Sequence, residues 1–187
     1  PGFHRKKISY GKGELYFKYC SGIADFEVEG SYTSKILLKV IDYPLHLYNT
    51  NNVAKTRSGI AYSIRKGKGK KIQHKLTGSL LIDNKSHAEI ADIFKKVKTF
   101  ISYDTMSAYS VFAALCGCES VVIPDEGVSI NQWYSNPQER YGISYGFSNI
   151  EEALSTQNLL KERILMEQKN SIKSALNAYE EIKNFFQ

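Results

Sequence analysis

The sequence predicts an α/β fold: an open, mostly parallel sheet with helices on both faces and a long C-terminal helix. Three observations carry this. Thr99–Asp125 reads as strand, tight turn, helix, turn, strand. From Gly59 to Ile123 the order is strand–strand–helix–strand–helix–strand, and strands joined by one helix run parallel. Toward the end of the chain Leu160, Ile164, Leu165, Ile172, Leu176, Tyr179, Ile182 and Phe186 recur near helical period.

In chain order, residues 1–35 are rich in Gly, Lys and Tyr and lack a clear period, so an irregular arm or linker is expected. Residues 36–187 are expected to form the folded domain. Ile36–Ile41 is a strand candidate, and Leu45–Tyr48 continues it beyond Tyr43-Pro44. Gly59–Arg65 is a strand followed by the basic, glycine-bearing run Lys66–Lys71, and Leu80–Ile82 is a further short strand. Ser86-x-x-Glu89 is a capping box ahead of Ile90, Ile93, Phe94 and Val97 at helical spacing. Thr99–Tyr103 is β-branched and aromatic, as a buried strand requires. Asp104 and Thr105 then carry side-chain oxygens suited to a helix start, and Gly117 stands where that helix stops. Ser120–Ile123 is a strand closed by Pro124, Asp125–Gly142 a long polar loop, and Ile143–Phe147 a last short strand. Ser148-x-x-Glu151 reads as a second capping box.

The chain of 187 residues is long enough for one domain with a sizeable core. Its net charge of +6 favours phosphate-bearing partners without naming one. Three cysteines, an odd count, offer no disulfide framework and point to a reducing cytosol. Cys116-Gly117-Cys118 has no partner ligands at metal spacing, and the four histidines show no HxxxH or HExxH pattern. No apolar run approaches the ~18 residues of a membrane span. The chain begins at Pro1 without an initiator Met, so a fragment or processed chain is expected.

The chemistry converges on one expected crevice. In an open α/β sheet, ligands lie at the carboxyl ends of the strands. There the turn Ser102, Tyr103, Asp104, Thr105, Met106, Ser107 meets a helix N-terminus, where free N–H groups and a partial positive charge suit a phosphate or diphosphate. Helix capping alone uses the same geometry. Arg65, Lys66 and Lys68 leave a strand at that edge and are expected to neutralise the anion. Asp83, Asn84 and Lys85 leave another and are placed to reach a base or ribose. His4, beside Arg5 in the arm, is the candidate catalytic residue, facing a site completed by another domain. Asp125 and Glu126 read as exposed loop carboxylates.

With these residues placed, the chain resembles the C-terminal half of a bacterial GT-B-fold glycosyltransferase of capsule or surface-polysaccharide synthesis. The segments that carry the likeness are RSGIAYSIRKGKGKK, IDNKSHAEIADIFKKVKTFISYD and SAYSVFAALCGCESVVIPD, followed by WY and RYGISYGF, over about Arg57–Phe147. Phe112 stands about where retaining families of that fold carry a Glu that holds the donor ribose, so their Glu-x7-Glu pair is absent here. The resemblance implies a Rossmann-like domain that binds a nucleotide-sugar donor, with its diphosphate over Ser102–Ser107 and Arg65, Lys66 and Lys68 stabilising the departing diphosphate. It implies no cofactor and no metal, and a glycan or lipid-linked acceptor. An N-terminal domain missing from this chain would carry the acceptor site. It also implies a cytoplasmic location, peripheral at the inner membrane. Two alternatives are transfer of another phosphate-containing group to a capsular sugar and a basic nucleic-acid-binding domain. Arg65–Lys75 contains no Phe, Tyr or Trp, which counts against nucleic acid as partner.

Overall fold

A computed structural model describes residues 11–19, 23 and 25–187. The chain divides into two compact units, Pro44–Arg163 and a second built from Pro1–Tyr43 with Ile164–Gln187. The first holds a five-stranded parallel sheet formed by β3 (Ile60–Ser63), β4 (Leu80–Leu81), β5 (Thr99–Ser102), β6 (Glu119–Val122) and β7 (Ile143–Tyr145). Their spatial order is β4-β3-β5-β6-β7. The α/β fold with a parallel sheet and a long C-terminal helix is therefore the observed one.

The strands alternate their side chains between two covered faces. Phe100 of β5 meets Phe94 of α1 (His87–Phe94) edge-on at 4.9 Å. On the same face, Ser120 of β6 donates to the Ser110 carbonyl of α2 (Ala108–Leu115) at 2.8 Å. Ile101, Tyr103, Val121 and Ile123 form the opposite core with Ile60, Tyr62, Ile64, Ile72 and Ile150, the last from α4 (Ile150–Phe185). Each fully buried Ile, Val or Phe contributes roughly 1.5–3 kcal/mol.

Local chemistry sets the helix ends. The Ser86 hydroxyl accepts from Glu89 N at 3.3 Å and the Glu89 carboxylate accepts from Ser86 N at 2.8 Å, the reciprocal box expected for α1. Gly117, at φ +81°, turns the chain after α2. That helix starts later than expected, at Ala108 with Ser107 as its cap. Asp104 is spent on a tight turn, accepting from Met106 N at 3.2 Å, so it is not available to the helix. The second expected box fails as well: Ser148 lies within a 3-10 turn, Phe147–Asn149, and its hydroxyl faces Asn149. The loop after Pro124 contains a four-residue helix, α3 (Ile130–Trp133), capped reciprocally by Ser129 and Gln132.

Leu45–Tyr48 is a turn rather than a strand, with Leu47 N and Tyr48 N both bonded to the Pro44 carbonyl. Tyr48 leaves this turn to stack flat on Phe112 at 4.2 Å. At the amino edge of the sheet, Arg57 donates to the carbonyls of Val97, Cys116 and Phe94. α4 contributes its first turns to this unit, where Leu160 is fully buried and Gln157 donates to the Cys118 carbonyl at 2.8 Å.

In the other unit, β1 (Leu15–Lys18) and β2 (Tyr32–Leu37) pair in parallel within and just beyond the stretch read as an irregular arm. The expected strand Ile36–Ile41 therefore starts earlier and ends at Leu37. Beyond it, side chains of α4 replace a partner strand. The Ser174 hydroxyl accepts from Lys39 N at 3.0 Å and donates to the Leu37 carbonyl at 2.7 Å, and the Ser171 hydroxyl accepts from Ile41 N at 2.9 Å. Among the described residues no helix is long and apolar enough to cross a membrane.

Candidate functional site

The strand order reverses between β3 and β5, so the crevice that open α/β sheets use for ligands lies beyond Ser63 and Ser102. Asp83, at the end of β4, shapes its left side. One carboxylate oxygen accepts from the Ser63 hydroxyl at 2.6 Å. The other accepts from Ile64 N at 3.1 Å and Arg65 N at 3.0 Å. Asp83 thus holds a backbone turn, which leaves it little capacity for the expected base or ribose. The turn it holds is unusual, since Arg65 sits at φ +39°, a conformation that side-chain-bearing residues rarely adopt. The result is definite: the Arg65 guanidinium lies 4.9 Å from the ring centre of Tyr109, in the first turn of α2.

The turn after β5 separates into floor and rim. The buried Ser102 hydroxyl donates back to the Asp104 carbonyl at 2.7 Å, Tyr103 is buried, and Asp104 is 6% exposed. These three build the floor. Thr105 and Ser107 are half-buried and Met106 is exposed, so they form the rim. Thr105 is held from both ends: its hydroxyl donates to Asp125 at 3.0 Å and its carbonyl accepts from the Trp133 indole at 2.8 Å. The Ser107 hydroxyl accepts from Tyr109 N at 3.2 Å, while the N–H of Ala108, as the first of the helix, has no acceptor within it.

A strap of residues 65–75 lies against the floor. Gly67 packs on the Tyr103 carbonyl so closely that a Cβ there would overlap it. Lys70 crosses to the end of β6, donating to the Ile123 carbonyl at 2.7 Å and pairing with Asp125 at 2.7 Å. The structure therefore sets Arg65 against Tyr109, two residues beyond Ser107 on the turn that carries Thr105 and Met106. Lys66, Lys68 and Lys85 are exposed, and Lys85 acts on Glu89 in the first turn of α1; among the described residues no hydrogen bond or ion pair holds Lys66 or Lys68 at the rim. His4 lies outside the described residues. Lys70 looks like the other lysines of the basic run until the fold shows its partners. Tyr109 was missed because its spacing from Phe112 reads as packing. Among the described residues, no three His, Cys, Asp or Glu side chains converge as a metal group would need.

The strap's far end is pinned by a titratable pair. Gln73 N donates to the Tyr103 phenol oxygen at 2.8 Å, and His74 Nδ1 lies 2.8 Å from the same oxygen. Burial pushes the Tyr103 phenol up, so the oxygen that accepts from Gln73 N keeps its own proton. Burial pushes the His74 imidazole below its ordinary value. The unfolded chain therefore binds this proton at higher pH than the folded one. The resulting stability is fully present above about pH 6.5 and is lost progressively as pH falls through the folded value. Urea midpoints are expected to drop between pH 7.5 and pH 5 in the native chain and to drop less in His74→Gln. An equal drop in both removes His74 from this linkage.

No protein-family model, no curated protein and no solved structure matches the chain.

Proposed function

We propose that the Pro44–Arg163 unit binds the nucleotide-sugar donor of a glycosyltransferase that builds a bacterial surface glycan, capsule or lipopolysaccharide. The observation that carries this reading is Arg65, held by Asp83 beside the first turn of α2 at the reversal of strand order. A diphosphate set over Thr105–Ser107 accepts a hydrogen bond from the Ala108 N–H, since the N–H groups of Tyr109 and Ser110 are taken by Ser107, and it sits at the positive end of α2. The planar Arg65 guanidinium pairs with two of its oxygens at once. Lys66 and Lys68, exposed on the same strap, add cationic charge.

During transfer, the bond from the sugar to the diphosphate breaks and negative charge grows on the departing nucleoside diphosphate. Donors and cations placed beside that charge lower the barrier. Two carboxylates reach this rim: Asp125, bonded to the Thr105 hydroxyl, is paired with Lys70, which offsets its repulsion of an anion, and Asp104 accepts from Met106 N. The glycan or lipid-linked acceptor and the catalytic base belong, in this reading, to a further N-terminal domain.

Calorimetric titration of UDP, GDP, CDP and their sugars, with inorganic phosphate as reference, tests the reading. At least one nucleotide is expected to bind ten or more times tighter than phosphate. Arg65→Gln, and separately the pair Lys66→Ala with Lys68→Ala, are expected to weaken that binding about tenfold, with thermal unfolding unchanged, as the loss of charge-assisted bonds implies. If no nucleotide outperforms phosphate, the donor assignment falls.

A further inference from the structure

We infer that Tyr109, flanked by Arg65 and His87, is the platform on which the donor's nucleobase stacks. This inference rests on the diphosphate reading above and names a subsite of the same crevice. Three elements converge there: the end of β3 supplies Arg65, the start of α1 supplies His87, and the first turn of α2 supplies Tyr109. The His87 ring lies 5.9 Å from Tyr109, and Phe112 meets Tyr109 edge-on at 5.8 Å and 77°. Phe112 is buried and stacked on Tyr48, so it fixes the Tyr109 ring from the core side. The His87 ring is fixed in turn, its Nδ1 2.7 Å from the Tyr48 phenol oxygen. A rigid, half-buried aromatic ring bordered by an exposed imidazole and an exposed guanidinium is a surface that nucleobases bind by stacking, whatever their identity.

The guanidinium now occupies the ring face that a base would take. At an exposed site this contact is weak and readily exchanged. A base that lands on Tyr109 displaces Arg65 sideways, toward the helix N-terminus one residue away in the same turn. There its positive charge meets the diphosphate. Base and diphosphate are then read by one pair of residues.

Calorimetry on the 187-residue chain compares UDP, ADP and inorganic pyrophosphate. UDP and ADP are expected to bind at least tenfold tighter than pyrophosphate. Tyr109→Leu is expected to abolish that advantage while leaving pyrophosphate affinity unchanged, and Tyr109→Phe to retain it. A nucleotide advantage that is absent in the native chain, or that survives in Tyr109→Leu, overturns the platform and leaves the diphosphate reading standing. Failure of all three ligands to bind the native chain overturns both. Should Tyr109→Leu lose its fold, the native chain still decides. Nuclear Overhauser contacts between the uracil protons of saturating UDP and the Tyr109 ring are expected, and their absence sinks the proposal.

Discussion

Arg57→Ala is expected to destabilise the Pro44–Arg163 unit by about 3 kcal/mol, because several carbonyls lose their donor at once. The Arg57 Nε donates to the Val97 carbonyl at 2.9 Å and one terminal nitrogen to the Cys116 carbonyl at 3.1 Å. The other terminal nitrogen reaches the Phe94 carbonyl and, at 2.9 Å, the Cys118 sulfur. Phe94 ends α1 and Cys116 caps α2, so one cation serves the negative ends of two helices. The neighbouring thiol gives no help: burial pushes Cys118 up to about 12, so it stays neutral and itself donates to the Phe94 carbonyl. Lysine has no planar fork and cannot serve three separated acceptors, so Arg57→Lys is expected to recover less than half of the loss. Urea unfolding followed by circular dichroism measures both. A midpoint for Arg57→Ala within error of the native value would show that water replaces the guanidinium at no cost.

Arg57 also marks the limit of what the sequence discloses. The elements were legible wherever their cause is local. Ser86 and Glu89 announce α1 three residues apart, Gly117 announces the end of α2, and the β-branched runs at Thr99 and Ser120 announce β5 and β6. Elements were misplaced where a side chain chose a local partner over the expected one, as Asp104 did with Met106 N. They were also misplaced where a distant helix supplied the missing bonds, as Ser171 and Ser174 do for the segment after β2. β1 and the start of β2 carry no apolar alternation strong enough to reveal them. Arg57 itself reads as an ordinary loop cation, since its acceptors lie 37, 40 and 59 residues away.

The candidate site divides in the same way. Its position at the strand ends follows from element order, which the sequence carries. The assignment of roles within it does not. Asp83 has the residue type of a ribose ligand, yet the backbone N–H groups of Ile64 and Arg65 claim it, and only the pairing of β3 with β4 brings them together. Ser102 offers a hydroxyl on paper but turns it inward. Tyr109 shows the converse: at helical spacing from Phe112 it looks like core, and a strained Arg65 from another strand end makes it part of the opening.

Gly67→Ala is expected to cost about 3 kcal/mol, at the upper end of overpacking effects, because what a Cβ would strike is backbone. The added carbon would overlap the Tyr103 carbonyl carbon and oxygen and come within 2.7 Å of the Tyr103 Cβ. Tyr103 has no room to yield. Its N–H is bonded to the Ser63 carbonyl at 2.9 Å and its phenol oxygen to Gln73 N, and the residue is 1% exposed. The strap must lift instead, which breaks the Lys70 contacts with Ile123 and Asp125 and uncovers Ile72. Gly69→Ala separates this from backbone strain. Gly69 sits at φ +97° with open space around it, so alanine there is expected to cost only about 1 kcal/mol, from conformation alone. Hydrogen exchange reads the mechanism. The Gln73 amide should lose protection in Gly67→Ala and keep it in Gly69→Ala. Equal stability and equal Gln73 protection in the two variants would mean that the strap does not rest on Tyr103, and the floor of the candidate crevice would have to be redrawn.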